Sequence, residues 1–333
     1  MIACRTPTRG AFLFLTCSTL RVTLYRMQRK LVGAALRLYL YNTPFAWIGS
    51  KVNMLDVIIP NIPEHKHYVE PFCGTAIVYL HKAPARLNTL NDIDGNIVNF
   101  FRVLQDKDKT KDLLRRLRYT PWAKAEYKKA CLLLSSNREI DEITMAWAFY
   151  VAQYMGMKKS YYSDTQGKNF GYTFHDRKVS TIYGGFVNKI RRVVENAHKL
   201  RQCQIMNDDG VEVMKRFDGE EVFMFVDPPY LLTTVRGKGK IYTTEYNDEL
   251  HYRLVDFVRH AKSKIMLASY PNELYDQLLE YGWVRIDKTK YISAGHYTSK
   301  RKRQTKRIES LYLNYQPPNQ NSSHVSTQAL PLA

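Results

Sequence analysis

Short apolar runs alternate with stretches of helical spacing along much of this chain. The runs have the length of strands: Tyr68–Glu70, Leu87–Leu90, Val222–Val226 and Ile265–Ala268. Apolar residues three or four positions apart follow them, which predicts helices: Ile77–Leu80, Asn96–Gln105, Leu250–Ala261 and Glu273–Tyr281. Two longer strands are predicted near the carboxyl terminus, over Val284–Ile292 and Ile308–Tyr315. This order of elements predicts an α/β fold with a parallel sheet.

Residues 111–203 interrupt this rhythm. Apolar positions have helical spacing in two stretches there, which predicts a mainly helical insert: Ile140, Ile143, Trp147, Tyr150, Val151 and Tyr154, then Phe186, Ile190, Val193, Ala197 and Leu200. Residues 158–178 lie between the two stretches, and a loop of this length indicates a functional or mobile segment. Residues 43–110 and 204–316 are predicted to form the main domain.

The two ends of the chain differ in composition from the rest. Residues 1–42 contain seven basic residues and no acidic one, and their apolar run stops at Arg21, too short to span a membrane. We expect this segment to be a dispensable, disordered extension, with Met27 as an alternative start. Residues 317–333 are polar and contain proline, which predicts a disordered tail.

The charge balance points to a partner. The chain has 50 Lys and Arg against 31 Asp and Glu, a formal net charge of +19, which favours nucleic acid over a membrane surface. Its 24 tyrosines offer stacking surfaces for bases, although a basic protein without such a partner is an alternative. Five scattered cysteines and nine histidines show neither a disulfide framework nor zinc-ligand spacing. We therefore predict a reducing, cytoplasmic compartment and no metal.

Asp227, Pro228, Pro229 and Tyr230 directly follow the apolar run Val222–Val226. A strand that ends there delivers these residues to the carboxyl edge of the sheet, where ligands bind in open α/β folds. The prolines supply no amide hydrogen, so the loop offers a carboxylate and free carbonyls as acceptors beside an aromatic ring. This combination suits a planar ring with an exocyclic amine, such as adenine. The alternative is an ordinary turn that ends a strand.

A second candidate site follows the first predicted strand. The segment Phe72–Ala76 combines one glycine with small residues between a strand and a helix, which lets a ligand approach free backbone amides. About 20 residues later Asp92 closes the second strand, where a carboxylate can accept the ribose hydroxyls of a nucleoside cofactor. Asp92 can instead cap the helix that begins near Asn96.

Together these segments resemble the adenine-N6 DNA methyltransferases related to Dam, over roughly residues 45–315. The resembling segments occur in the family's order: Trp47–Lys51 (W-x-G-G-K), Val69–Gly74, Leu90–Asp94 (N-D-I-N), Asp209, and the catalytic D-P-P-Y at Asp227–Tyr230. Tyr242–Glu245, His251 and Glu309–Tyr315 also resemble family segments. The chain departs from the family at Ser50 and Ala76, where glycines are usual. Both substitutes are small, so we expect cofactor binding to persist.

The resemblance implies a Rossmann-like methyltransferase sheet, mostly parallel with an antiparallel strand at the carboxyl-terminal end, and a target-recognition domain inserted at residues 111–203. It implies S-adenosylmethionine as cofactor, bound by Trp47, Lys51, Glu70, Phe72, Cys73, Gly74, Asp92 and Asp209. Asp227, Pro228, Pro229 and Tyr230 would act on an adenine flipped out of double-stranded DNA. Candidate DNA contacts are Lys158, Lys159, Tyr161, Tyr162, Lys168, Asn169 and Arg177. The basic run at residues 300–307 binds phosphates or forms a charged hairpin tip.

Several alternatives remain open at this point. RNA adenine, cytosine N4 and a protein glutamine amide fit related chemistry, although Asp227 disfavours the last two, because cytosine enzymes more often carry Ser and glutamine enzymes Asn there. An inactive nucleic-acid-binding module is a further alternative. The resemblance also allows a cognate restriction endonuclease as a partner, and we expect no membrane association and a monomer or weak dimer.

Overall fold

A computed structural model of the protein describes residues 44–45, 49–156, 164, 166–171, 186, 190, 193–231, 248–293, 304–318 and 327–328. At its centre lies an eight-stranded sheet with the order β3-β2-β1-β4-β5-β7-β6-β8. The strands are β1 (His67–Glu70), β2 (Leu87–Asn91), β3 (Gln204–Met206), β4 (Val222–Val226), β5 (Lys264–Ser269), β6 (Val284–Ser293), β7 (Gln304–Leu313) and β8 (Thr327–Gln328). Strands β1 to β5 run parallel, and β7, β6 and β8 add antiparallel pairs. The predicted mostly parallel sheet is therefore confirmed.

Helices connect these strands. Short helical turns precede β1 at Lys51–Met54, Leu55–Ile58 and Ile59–Asn61. The helices of the α/β part that follow β1 are Ile77–His81, Gly95–Gln105, Gly210–Phe217, Asp248–His260 and Glu273–Asp276. A 3-10 turn at Gln277–Tyr281 continues the last of them. None of the helices within the described ranges is long and apolar enough to cross a membrane.

Most of the described chain between β2 and β3 is helical, although residues 166–171 form turns and an isolated bridge between Phe170 and Gly156. This helical segment comprises Lys107–Arg118, Lys124–Leu134, Glu142–Met155 and residues 193–200. Aspartates cap several of its helices because a carboxylate accepts the free amides of the first turn: the Asp141 side chain accepts from the Thr144 amide at 2.8 Å. Phe45 joins the segment to the α/β part, with ring centroids 5.6 Å from Phe100 and 4.9 Å from Phe149.

The core explains why the central strands read as apolar runs. All residues of β4 are buried, as expected for a strand covered on both faces. Val69 of β1, Met224 of β4 and Leu267 of β5 belong to one buried cluster that also contains Val211 and Leu254 from two helices. Burial of this apolar surface fixes the register of the sheet and hence the places at which its strands end.

The order of the strands creates one reversal that positions the loops. Chain connections run from β1 outward to β2 and β3, and then return to β4 on the other side of β1. β1 and β4 pair in parallel, with Val69 opposite Met224. The loops after these two strands therefore leave the same edge side by side, and at such a reversal a crevice opens between them.

One sequence prediction needs correction. The predicted helix Glu273–Tyr281 is only α-helical to Asp276, and its 3-10 continuation ends at Gly282, whose φ is 80°. Of the tail after residue 316, the structure describes residues 317–318 and Thr327–Gln328, which pair with β6, and the disorder of the tail stays a prediction. The free edge of β6 offers unpaired backbone groups, and an extended segment of almost any sequence can satisfy them. Residues 1–42 lie outside the described residues.

Candidate active site

Two loops meet at the carboxyl edge of the sheet. The β1 loop (residues 71–76) follows β1, and the β4 loop (residues 227–231) follows β4. Because β1 and β4 are neighbours in the sheet, the two loops flank one crevice. The sequence predicted both loops as parts of a site, and the topology brings them together.

The β1 loop turns through left-handed backbone conformations. Gly74 has a φ of 47° and Ala76 a φ of 52°. The Cys73 amide donates to the Asn91 carbonyl of β2 at 2.8 Å, which ties the loop to the neighbouring strand. A left-handed conformation costs a non-glycine residue roughly 1–2 kcal/mol, so the departure from glycine at Ala76 falls where glycine is favoured.

The surroundings of Cys73 disfavour it as a nucleophile. Its side chain is buried, and burial raises the pKa of its thiol well above the usual range. The reactive form of cysteine is the thiolate, which this environment disfavours. What Cys73 contributes is its backbone, through the amide that binds Asn91.

Asp92 binds the β1 loop through backbone amides. Its Oδ2 accepts from the Gly74 amide at 2.8 Å, and its Oδ1 accepts from the Asp94 amide at 2.9 Å. Burial raises the pKa of Asp92 to about 7, although these two hydrogen bonds favour the charged form. The cap of helix Gly95–Gln105 is Asp94, which accepts from the Asn96 amide. Asp92 is therefore not the helix cap that the sequence allowed.

Glu70 lies at the end of β1 and is only 2% exposed. Its Oε2 accepts a hydrogen bond from the Tyr68 hydroxyl at 2.8 Å. Burial raises the pKa of Glu70 to about 8; the Tyr68 bond acts against this rise, and the negative charge of Asp227 adds to it. The carboxylates of Glu70 and Asp227 thus influence each other across the crevice.

Two side chains from distant parts of the chain meet two side chains of the β4 loop. We call Lys51, Asp227, Tyr230 and Glu309 the Lys51 cluster. The Lys51 Nζ lies 2.5 Å from the Asp227 Oδ1 and 3.4 Å from the Glu309 Oε1, and it donates to the Tyr230 Oη at 3.2 Å. The Tyr230 Oη in turn donates to the Glu309 Oε1 at 3.3 Å. This network fixes both the carboxylate and the ring of the β4 loop.

Tyr230 also stacks on a second aromatic ring. The ring of Tyr270, directly after β5, lies 4.5 Å from the Tyr230 ring at an angle of 27°. The guanidinium of Arg307 lies 5.8 Å from the centroid of the Tyr270 ring. Because β5 neighbours β4, residues after both strands reach the same edge of the sheet. The crevice is therefore lined by stacked aromatic rings beside a carboxylate.

The prolines of the β4 loop are supported from helix Asp248–His260. Pro228 is buried and Pro229 half-buried. His251 hydrogen-bonds to the Pro229 backbone, and its Nδ1 lies 2.6 Å from the Tyr275 Oη. Burial lowers the pKa of His251 to about 4, so its ring is neutral at neutral pH. A neutral imidazole can accept from Tyr275 and donate to the Pro229 carbonyl at the same time.

Asp209 follows β3, the neighbour of β2, and caps the start of helix Gly210–Phe217. Its Oδ1 accepts from the Val211 and Glu212 amides, and Arg253 pairs with both of its carboxylate oxygens at 3.0 and 3.2 Å. Burial acts to raise the pKa of Asp209, but these hydrogen bonds hold it below its usual value. Phe72 packs against Gly210 so closely that a Cβ there would lie 2.4 Å from its ring.

The candidate DNA contacts are described only in part. Lys168 and Asn169 belong to a turn around Asp164, whose carboxylate accepts from both of their amides at 2.8 Å. The Lys168 side chain is exposed. Trp47 and the remaining candidates lie outside the described residues: Lys158, Lys159, Tyr161, Tyr162 and Arg177.

Three residues of this site were not among the sequence candidates. Glu309 and Tyr270 line the crevice from β7 and β5, and Arg253 pairs with Asp209. A signal existed for Glu309, because the segment Glu309–Tyr315 resembles a family segment. Within the described ranges no three His, Cys, Asp or Glu side chains are grouped so as to hold a metal ion.

Comparison with known proteins agrees with this geometry. A DNA N-6-adenine-methyltransferase of Escherichia phage P1 is 38% identical over 61 residues, a stretch that covers 18% of this chain and 8% of the phage protein. The model of one protein family matches residues 47–313, a range that includes both loops and the Lys51 cluster. The chain therefore belongs to the D12 class N6 adenine-specific DNA methyltransferase family.

Proposed function

We propose that this protein transfers a methyl group from S-adenosylmethionine to the N6 amine of an adenine flipped out of duplex DNA. The observation that carries the proposal is the position of Asp227 and Tyr230. Both end a buried strand at the reversal of the sheet, directly beside the β1 loop. This arrangement puts an amine acceptor and a stacking ring next to a crevice suited to a nucleoside cofactor.

The β1 loop has features that fit this cofactor. The carboxylate of Asp92 accepts two backbone amides and has lone pairs left for ribose hydroxyls. Gly74 lets a ligand approach the backbone closely, and Phe72 offers a ring beside the start of helix Gly210–Phe217. We assign the ribose to Asp92, the adenine of the cofactor to Phe72 and Asp209, and the methionine moiety to Glu70, Cys73, Gly74 and Lys51; the family resemblance adds Trp47 as a candidate.

The β4 loop would bind the target base. Tyr230 stacks on the extruded adenine, which returns about 1–3 kcal/mol of the few kcal/mol that unstacking costs. Asp227 and the Pro228 carbonyl accept the two amino hydrogens, and these bonds draw the nitrogen toward a tetrahedral shape with a free lone pair. When bound, S-adenosylmethionine supplies an electrophilic methyl group. The residues of the loop contribute mainly by position and by fixed charge.

The helical segment is the candidate for DNA recognition. We propose residues 111–203 as the target-recognition region and residues 43–110 and 204–316 as the catalytic domain. Helix Lys107–Arg118 has Arg115, Arg116 and Arg118 in its last turn. A cleft of about 590 Å³ beside it is lined by Arg115, Arg116, Lys129 and Trp147, and also by the acids Asp112, Glu126 and Asp141. Such cations suit phosphate contacts, while Lys168 and Asn169 lie on the predicted recognition loop.

The proposal can be tested in cells. The wild-type protein, Asp227→Ala and Asp256→Ala are expressed in a bacterium without adenine methylation, and N6-methyladenine in digested DNA is measured by mass spectrometry. Asp256 is an exposed acid on helix Asp248–His260, so its variant controls for loss of surface charge. We expect N6-methyladenine with the wild type and Asp256→Ala only.

Two other outcomes would overturn this function. N4-methylcytosine in place of N6-methyladenine would assign a different base. No methylated base from soluble protein that binds S-adenosylmethionine would point to RNA or protein as the substrate.

A further inference from the structure

The Lys51 cluster contains one ammonium group and two carboxylates. Lys51 is 1% exposed and Glu309 is 3% exposed, whereas Asp227 is 19% exposed and so is the acid nearer to the crevice. A buried ammonium needs a paired carboxylate, because an uncompensated buried charge is strongly destabilising. Lys51 has two such carboxylates within 3.4 Å, at 2.5 Å for Asp227 and 3.4 Å for Glu309.

The proposed reaction needs the same carboxylate that Lys51 now binds. An adenine amine can donate to Asp227 only at oxygen lone pairs that are free or become free. Lys51 lies 2.5 Å from the Asp227 Oδ1, which is the shortest contact in the Lys51 cluster. An amine that donates to Oδ1 therefore competes with the Lys51 ammonium, and an amine that donates to the other oxygen meets a carboxylate whose charge Lys51 already neutralises. Without another carboxylate at hand, an ammonium that left Asp227 would keep its hydrogen bonds to the Gly49 carbonyl and the Tyr230 hydroxyl but would be buried without a counter-charge.

We propose that Glu309 is a positioning residue that holds Lys51 when the target amine takes Asp227. Glu309 lies on β7, it is the second carboxylate beside the Lys51 ammonium, and it also accepts the Tyr230 hydroxyl. One carboxylate thus receives the lysine and fixes the edge of the stacking ring. The inference rests on the proposed function and adds to it the residue that frees Asp227 for the base.

The backbone of β7 supports this role. Glu309 lies next to Ser310, which pairs with Ser269 at the end of β5, so its side chain reaches the carboxyl edge where the β4 loop lies. Lys288 lies opposite Glu309 on β6, and its ammonium binds the Asn53 carbonyl at 2.6 Å and also Asp56. Lys288 therefore offers a matched control: a lysine that neighbours Glu309 in the sheet but binds outside the Lys51 cluster.

The test is a double-mutant cycle on the rate of methyl transfer in a single turnover, with saturating S-adenosylmethionine and duplex DNA. Glu309→Gln keeps the shape and an acceptor oxygen but removes the charge. We expect the transfer rate to fall about 10- to 100-fold, the range for a lost hydrogen bond to a charged group. Affinity for S-adenosylmethionine and for DNA should fall less than the transfer rate, because Glu309 reaches these ligands only through Lys51 and Tyr230.

The cycle separates this role from a structural one. In Lys51→Met the ammonium is absent, so adding Glu309→Gln should lower the transfer rate little further. If the two residues acted independently, their fold-losses in rate would multiply. Lys288→Met should transfer at the wild-type rate. Glu309→Asp, which keeps the charge, should fold and retain more activity than Glu309→Gln.

Additive losses in the cycle, or a Glu309→Gln variant as fast as the wild type, would overturn the inference while leaving the proposed function intact. A wild-type protein that transfers no methyl group to DNA would overturn both. A purely structural Glu309 would lower the unfolding temperature and the ligand affinities of Glu309→Gln together, which also counts against the inference.

Discussion

Asp92 and Asp227 sit on the two sides of one crevice, yet they are held in opposite ways. Asp92 binds backbone amides, and its partner Gly74 is only 18 residues away. Asp227 binds the side chain of Lys51, and the same cluster links Tyr230 to partners 179 and 79 residues away. One carboxylate is therefore part of a local backbone structure, and the other belongs to a side-chain network assembled by the fold.

This difference indicates a division of labour. Backbone amides are present whatever the side chains, so the β1 loop can hold a ligand in a fixed place and tolerates changes such as Ala76. The Lys51 cluster depends on the identity of each residue, and its contacts can rearrange when a substrate enters. We therefore expect substitutions in the β1 loop to act on binding and substitutions in the β4 loop to act on methyl transfer.

A large effect, second to the loss expected at Asp227, is expected at Tyr230. Replacing Tyr230 with Ala removes the stacking ring and should lower methyl transfer at subsaturating DNA about 10- to 100-fold, as expected from about 1–3 kcal/mol of base stacking. Tyr230→Phe keeps the ring and loses only the hydroxyl that joins Lys51 and Glu309, so its loss should be smaller. Transfer rates with a duplex substrate measure both. Equal losses in the two variants would contradict a stacking role.

A tenfold effect is expected from pH at Asp92. Because the pKa of Asp92 is raised to about 7, most of this side chain is protonated at pH 6 and ionised at pH 8. Only the ionised carboxylate accepts both ribose hydroxyls fully, so affinity for S-adenosylmethionine should rise roughly tenfold between these pH values. Calorimetry over this range measures the effect.

Glu70 provides the control for that pH dependence. Its pKa is raised to about 8 by burial, so it titrates in an overlapping range at the same loop. Two other acidic groups lie near these carboxylates. The negative charge of Asp94 raises the pKa of Asp92, and the Cys73 thiol interacts electrostatically with both Asp92 and Glu70. Glu70→Gln should keep most of the rise in affinity, and Asp92→Asn should abolish it. The reverse result would assign the pH dependence to Glu70.

The smallest effect concerns stability of the β1 loop. Gly74→Ala places a side chain at a φ of 47°. The strain of roughly 1–2 kcal/mol, less a gain of about 0.4–1 kcal/mol from the unfolded chain, should lower the free energy of unfolding by about 1 kcal/mol. In Ala76→Gly the relief of strain is offset by the loss of a buried methyl group, which contributes about 0.8 kcal/mol. The free energy of unfolding should therefore change less than in Gly74→Ala. Urea unfolding compares the two; a larger loss for Ala76→Gly would contradict the account.

Sequence patterns predict the parts of this structure that are local. The run Val222–Val226 is apolar because β4 is covered on both faces, so its bounds are predicted correctly. The residues after it are then placed at the carboxyl edge by the strand itself. The same holds for the β1 loop and Asp92, whose contacts span few residues.

Contacts between distant segments could not be predicted in this way. Lys51, Asp227 and Glu309 meet because β4, β5 and β7 are consecutive in the sheet, and no local pattern specifies that order. Tyr270 is missed for the same reason, since only the pairing of β4 with β5 brings it to Tyr230.

The helical pattern of Lys107–Arg118 is also hard to recognise in the sequence. The helix buries only Thr110, Leu113, Leu114 and Leu117, and charged residues occupy most of its other positions.

The most direct test of the division of labour compares Asp227→Asn with Asp92→Asn in one experiment. Affinity for S-adenosylmethionine is measured by calorimetry, and methyl transfer by a single turnover at saturating cofactor. We predict that Asp227→Asn binds the cofactor like the wild type and loses about 100- to 1,000-fold in rate, the cost of removing an electrostatic contact to the reacting group. Asp92→Asn should bind more weakly and, once saturated, transfer within a few-fold of the wild-type rate. Normal transfer by Asp227→Asn, or equal loss of binding and rate in both variants, would contradict the account.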